Sequence, residues 1–377
     1  MTKSFIALPL AALLAACGSN GNAPNAQGAG QITGAGSTFV YPVMSAWAAD
    51  YKAQGGDGIN YQSIGSGGGI AQVKAGTVDF GATDQPLASD DLAKSGLVQF
   101  PVVVGGIVPV VNIQGLASGK LRLTGPLLAD IYMGKVTKWN DPAIVQANPG
   151  VALPNATIAT VHRSDGSGTT FNFTHYLAQV SPTWKAGPGE GKTVSWTGGV
   201  GGKGNEGVAN YVKQLPNSLG YVEYAYVVKS GMTYAQLQNA AGNFVAPSAD
   251  SFSAAADSAD WKNAKDFNLV MTNAAGANAY PITASTFVLM YKQPKNAATS
   301  ASARKFFDWA LTPAAQQIGL DIKEYAIPTN RNVALPPQVP NLADIKLIDY
   351  DSAKYGTTLE RKRLLERWEK EINQGAR

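Results

Sequence analysis

Two long apolar runs constrain this chain more than anything else in it: Phe100-Pro-Val-Val-Val-Gly-Gly-Ile-Val-Pro-Val-Val-Asn112 and, much later, Tyr280-Pro-Ile-Thr-Ala-Ser-Thr-Phe-Val-Leu-Met-Tyr291. Both are too short for a membrane-crossing helix, and the first is broken by Gly105-Gly106. Each reads as a long buried strand that passes from one domain into another. Two such passages make one lobe discontinuous, built from 31–104 and 282–345, with 105–281 inserted as a second lobe. A chain of 377 residues is long enough for two cores.

Elsewhere strands and helices alternate, which points to an α/β architecture. Met44, Trp47, Ala48 and Tyr51 repeat at helical spacing, so 40–53 is predicted as a helix, with Pro42 in its first turn and Gly55-Gly56 ending it. Ile59–Ser63 and Thr77–Ala82 read as strands, the second delivering Thr83-Asp84 at its C-terminal end, where open α/β sheets bind ligands. Leu127–Met133 reads as a helix, Thr157–His162 as a strand, and Phe173, Tyr176, Leu177 and Val180 as one helical face. Val208, Tyr211, Val212 and Leu215 mark another helix. Leu219–Tyr226 is predicted as a turn and strand, with Tyr224 and Tyr226 as packing residues on it.

Three Gly/Ser/Thr clusters sit where helices should begin: Gly34–Phe39, Ile64–Gly69 and Arg163–Thr169. A helix start exposes unpaired N–H groups and the positive end of the helix dipole, and small residues let an anion reach them. Arg163 adds a planar fork that suits a tetrahedral oxyanion. One such cluster would read as an ordinary turn. Three, aimed at one point, make a donor-rich cage for a small oxyanion.

Charged residues make up only 15% of the chain, which suits an exported protein. The net charge of +4 comes partly from the tail after Leu359, so it does not call for a nucleic-acid partner. Residues 1–16 read as an export signal, with Lys3 followed by a short apolar stretch. Leu14-Ala-Ala-Cys17-Gly18 resembles the lipobox of bacterial lipoproteins, in which the thiol is lipidated. Cys17 is the only cysteine, and lipidation removes the problem of a lone thiol in an oxidising compartment. The alternative is a simple cleaved signal. Residues 17–30 read as a flexible tether, and together these features describe a domain held at a membrane surface.

Gly34-Ala-Gly-Ser-Thr-Phe39, Ile64-Gly-Ser66, Val78-Asp-Phe-Gly-Ala-Thr-Asp84, Asp165-Gly-Ser-Gly-Thr169, Gly201-Gly-Lys-Gly-Asn205 and Gly220-Tyr-Val-Glu-Tyr-Ala-Tyr226 resemble, in order and spacing, the periplasmic phosphate-binding proteins of Pst-type importers. The resemblance runs from about Ile32 to about Trp309. It implies a type II periplasmic-binding-protein fold, with each lobe a mixed sheet flanked by helices and two hinge strands between them. It also implies closure of the lobes on one inorganic phosphate. By resemblance, Thr38 and Phe39 give backbone N–H donors, and Thr38 adds its hydroxyl. Ser66 gives a hydroxyl, and Arg163 is the only positive side chain on the ligand. Ser167, Gly168 and Thr169 donate from the third helix start, Asp84 is the one acceptor, and Asp165 orients Arg163. The partners implied are a membrane permease and ATPase, in the periplasm, with no cofactor and no catalysis.

Physical chemistry supports a special role for Asp84. Phosphate near neutral pH keeps a proton that a carboxylate can accept, whereas sulfate offers only lone pairs. That argues against a sulfate or metal-oxyanion binder. The plainer role for Asp84 is a turn residue before Pro86. A secreted phosphohydrolase on the same fold is a second alternative, disfavoured by the lack of a metal cluster or a Gly-x-Ser-x-Gly elbow. A surface lipoprotein that senses or adheres is a third. Gly199-Val-Gly-Gly-Lys-Gly204 matches a dinucleotide fingerprint but lacks its context, and reads as a structural loop. His162 and His175 have no partner for zinc, and His162 should point away from Arg163. Beyond about Leu311 the resemblance fades. Residues 346–377, with a charged helix over 357–373, read as an extension packed on the first lobe.

Overall fold

The computed structural model describes residues 31–294, 296–321 and 327–328. The export signal, Cys17, the tether and the 346–377 extension all lie outside the described residues. Among the described residues no helix is long and apolar enough to cross a membrane.

The chain starts as β1 (Ile32–Gly36), α1 (Tyr41–Ala53), β2 (Ile59–Ser63), α2 (Ser66–Ala75), β3 (Phe80–Thr83) and α3 (Ser89–Ser95), then enters β4 (Leu97–Asn112). Next come β5 (Leu121–Leu123), α4 (Gly125–Tyr132), α5 (Pro142–Ala147), β6 (Ala159–Arg163), α6 (Gly168–Val180), α7 (Pro182–Ala186), β7 (Val200–Gly202) and α8 (Gly204–Gln214). β8 (Ser218–Glu223), α9 (Tyr224–Ser230), β9 (Thr233–Gln238), β10 (Phe244–Val245) and α10 (Ala249–Asp257) follow. The chain returns through β11 (Thr283–Tyr291), α11 (Ala297–Ala310), α12 (Pro313–Asp321) and β12 (Ile327–Pro328).

The main sheet runs β2-β1-β3-β11-β4-β8-β6-β7. β1 pairs parallel with β2 and β3, while β11 is antiparallel to both β3 and β4. β4 spans 16 residues and is continuous through Gly105-Gly106, which therefore do not break it. Its first part, with Val102 and Val103, belongs to a core that also holds Ile32, Trp47, Phe80, Val288 and Phe307. Its later part, from Ile107 to Val111, belongs to another core with Leu128, Val161, Phe173, Tyr221 and Tyr280. Near the middle a β-bulge shifts the β11 register: Thr286 faces Val103, but Phe287 faces Pro101. A bulge bends its strand and re-aims a side chain. Here the extra residue is Val102 of β4, opposite the Thr286–Phe287 step of β11.

Three expectations need correction. The strand expected over 77–82 begins at Phe80, because Gly76 in the left-handed conformation and the Thr77 amide on Gln72 O still close α2. The strand expected to run to Tyr226 stops at Glu223, whose carboxylate accepts the Ala225 N–H and caps α9. Tyr224 and Tyr226 are thus helical, not alternating strand residues. Finally, 199–204 is not a loop: it forms β7, parallel to β6, and its last glycine opens α8.

Candidate functional site

Each expected helix start exists, and each is made by a local device. α1 has no side-chain cap, and Pro42 sits in its first turn. Gly65 precedes α2 at φ 86°, a left-handed conformation that favours glycine. Ser167 caps α6 by accepting the Thr170 N–H, at 2.9 Å.

The three starts meet around Asp84 and Arg163. A Cβ built on Gly168 would lie 2.4 Å from Ser66 Oγ and 2.6 Å from Asp84 Oδ2, so only glycine permits this approach. The Asp84 N–H donates to Ser66 Oγ (3.1 Å), and Ser66 Oγ lies 3.4 Å from Asp84 Oδ2. Asn205 joins the other two starts: its Nδ2 donates to Thr38 Oγ1 (2.7 Å) and to Thr169 Oγ1 (3.2 Å). Its own backbone N–H also reaches Thr38 Oγ1, at 3.1 Å. Because these hydroxyl oxygens accept from Asn205, their hydrogens are left to point at another acceptor.

Asp84 is 2% exposed. Its Oδ1 accepts from Thr286 Oγ1 (2.6 Å) on β11, while Ser37 Oγ bridges both carboxylate oxygens at 2.6 and 2.7 Å. Oδ2 is thus the oxygen left facing Gly168. Burial lifts the carboxyl to about 6, against the opposing effects of Ser37, Thr286 and the Arg163 charge.

Arg163 is 4% exposed. Its Nε donates to Asp165 Oδ1 (2.8 Å), its Nη2 to Asp165 Oδ2, and its Nη1 to Thr169 Oγ1 (3.3 Å). Asp165 also accepts the Gly204 N–H at 3.0 Å. Burial raises the Asp165 pKa, but the Arg163 pair outweighs it and the net shift is downward. A guanidinium has five N–H groups. Three are engaged, which leaves one on each terminal nitrogen for a tetrahedral oxyanion.

Two expected donors are partly committed. The Phe39 N–H donates to Ser37 Oγ (3.0 Å), and the Ser167 N–H to Lys192 O (3.0 Å). Among the described residues no acceptor takes the amides of Thr38, Gly168 or Thr169. His162 faces away from the Arg163 side chain and stacks on Trp196, with centroids 4.7 Å apart. Among the described residues no group of three or more His, Cys, Asp or Glu is placed to hold a metal ion.

Contacts between the two cores surround the site. Gly67 N–H donates to Gly166 O (2.8 Å), Asn172 Nδ2 to Asp84 O (2.7 Å), and Lys192 Nζ to Gln85 Oε1 (2.8 Å). The sequence points to no role for Ser37, Asn172, Asn205 or Thr286, and to packing alone for Tyr226. Asn205 and Tyr226 do lie in the segments that carry the family resemblance, and that was the one signal available for them.

Residues 21–314 match the model of the PBP superfamily domain. The chain is 61% identical over 287 residues to the phosphate-binding protein PstS of Xylella fastidiosa strain Temecula1, covering 76% of this chain and 79% of that protein. It is 52% identical over 292 residues to PstS of Haemophilus influenzae, covering 78% and 87%. The solved phosphate-binding protein of Stenotrophomonas maltophilia superposes with a TM-score of 0.57 at 20% identity, over 80% of this chain and 91% of that one. A periplasmic phosphate-binding protein, PfluDING, solved with phosphate at subatomic resolution, gives 0.61 at 18% identity, over 87% and 95%. At these identities the two structures speak to the fold alone.

Proposed function

This chain belongs to the family of PstS phosphate-binding proteins, the binding components of Pst-type ABC importers, and from that premise we propose how it does its work. It binds inorganic phosphate in the periplasm and delivers it to an ABC-type permease. One observation carries the assignment of the site: three helix starts converge on a buried carboxylate and a buried guanidinium, with Ser66, Asp84 and Gly168 in mutual contact.

In this reading Arg163 gives its two remaining N–H groups to phosphate oxygens. The hydroxyls of Thr38, Ser66, Ser167 and Thr169, and the amides of Thr38, Phe39, Gly168 and Thr169, complete the donor set. Asp84 Oδ2 accepts a hydrogen bond from the P–OH that phosphate retains, and Asp165 holds Arg163 in place. The lobes are 31–104 with the described residues from 282 onward, and 105–281, and β4 and β11 are the hinge strands. Closure expels water and strengthens each bond. The protein is a carrier and leaves its ligand chemically unchanged. Cys17 is lipidated and holds it at a membrane.

The test is calorimetric titration after bound ligand has been stripped. Phosphate should bind tightly and sulfate should bind much more weakly at about pH 8, where Asp84 is ionised. Equal binding of the two would mean that Asp84 does not face the ligand. Release of chromophore from a phosphate ester would overturn the carrier reading.

A further inference from the structure

Two tyrosine hydroxyls address the first helix start from opposite sides. Tyr61 on β2 donates to Ser37 O at 2.8 Å, and Tyr226 on α9 donates to Thr38 O at 2.6 Å. In a trans peptide the C=O of one residue and the N–H of the next point in opposite directions within one plane. Pinning Ser37 O therefore fixes the Thr38 N–H, and pinning Thr38 O fixes the Phe39 N–H. The direction can be read independently: the Phe39 N–H reaches Ser37 Oγ, which itself touches the Asp84 carboxylate. The amides thus face the Asp84 side, and the carbonyls face the tyrosines.

We propose that Tyr61 and Tyr226 are positioning residues that aim the Thr38 and Phe39 amides at the bound oxyanion. The inference rests on the phosphate reading above and adds to it an order of events. Tyr61 belongs to the strand beside β1, and its ring stacks on Phe80 within the same core. It aims the Thr38 amide whether or not the two cores have met. Tyr226 belongs to the other core, into which the Phe39 ring also packs, so its hold on the Thr38 carbonyl, which adds to the Ser37 contact in orienting the Phe39 amide, forms only when α9 meets the loop. One donor is built in advance and the other reports closure.

The phenols suit the task. Burial, with Asp84 and Glu206 nearby, holds the Tyr61 hydroxyl well above its ordinary pKa, so it remains a donor. Glu206 Oε1 lies 2.9 Å from the Tyr226 hydroxyl and competes for its single proton, but the shorter bond is to Thr38 O. Phe at either position keeps the ring and removes only the hydroxyl.

The experiment uses the full chain, with phosphate titrated into wild type, Tyr226→Phe and Tyr61→Phe. Calorimetry gives affinity, melting gives stability, and amide proton shifts in ¹H–¹⁵N spectra report each donor separately. A hydrogen bond to phosphate moves an amide proton downfield. Tyr226→Phe should weaken phosphate about tenfold, the effect of one lost charge-assisted bond, and should lose the Phe39 shift while keeping that of Thr38. Tyr61→Phe should lose the Thr38 shift and keep that of Phe39. Affinity within twofold of wild type in both variants would overturn the proposal. So would loss of both shifts together with a fall in melting temperature, because that is the mark of a merely structural role. If neither amide of the wild type moved at saturating phosphate, the phosphate reading itself would fall, whatever the variants did.

Discussion

Sulfate should bind this protein better as the pH falls, and Asp84 sets by how much. The ligand-free carboxyl titrates at about 6 and sits 2.6 Å from Thr286 Oγ1 and from Ser37 Oγ. Sulfate brings no proton, so the least costly way for it to occupy the site is to select molecules in which Asp84 is already protonated. At about pH 8, two units above the carboxyl's own pKa, only about one molecule in a hundred is in that form. Apparent affinity falls by the same fraction, a penalty of about 2.7 kcal/mol. Sulfate affinity should rise about tenfold between about pH 8 and 7, approach its limit near 6, and flatten below. Phosphate carries its own proton and should show no such rise over this range. Calorimetric titration of stripped protein with sulfate at about pH 8, 7 and 6 reads the slope directly. Asp84→Asn should bind sulfate with no pH dependence, since its amide is a donor at every pH. A wild-type sulfate affinity that changes less than threefold from about pH 8 to 6 would refute the reasoning.

Other outcomes follow from the same geometry. Arg163→Ala removes the cation and leaves the half-buried Asp165 beside the anion, so phosphate should weaken more than about a hundredfold by calorimetry; a value within threefold of wild type would defeat its role. Gly168→Ala places a methyl 2.4 Å from Ser66 Oγ across the meeting of the two cores. Its melting temperature should hold, while phosphate affinity drops about a hundredfold and the particle becomes larger in small-angle scattering. Unchanged affinity would mean that the cores need not meet at this point. Asp84 also sets a stability slope. Its folded-state pKa is raised, so the folded form binds the extra proton between about 4 and 6, and stability falls as pH rises through that window. Relative to Asp84→Asn, the ligand-free wild type should lose about 3 kcal/mol across it in denaturant melts, and parallel curves for the two proteins would refute this.

Local signals in the chain were legible where one short segment does the whole job. Gly65 and Ser167 announce helix starts because a left-handed turn and an N-cap need those residue types at those points. Likewise, β4 and β11 stand out as long apolar runs because they are buried along nearly their whole length. What could not be read was pairing over distance. Thr286 and Asp84 are 202 residues apart, and a threonine inside an apolar strand carries no mark of the distant carboxylate it meets. Asn205 follows a run that reads as a loop, yet it ties two helix starts together. Tyr226 alternates with Tyr224 in a stretch of strand-like composition, and only the cap at Glu223 converts that stretch to helix.

The placement of β11 has a consequence for how the molecule assembles. β11 lies between β3 and β4, and the chain reaches it only after every element from β5 to α10. During synthesis β1 to β4 therefore emerge with a gap one strand wide, and the facing edges of β3 and β4 are unpaired. Open edges recruit foreign strands, and a closing partner so distant in the chain is slow to arrive. The segment between β4 and β11 has its own core and can condense first, bringing the two crossing strands side by side. That shortens the loop the last strand must close, and lowers its entropic cost. The expected order is inserted half first and discontinuous half second, with β11 as the step that makes the whole molecule cooperative.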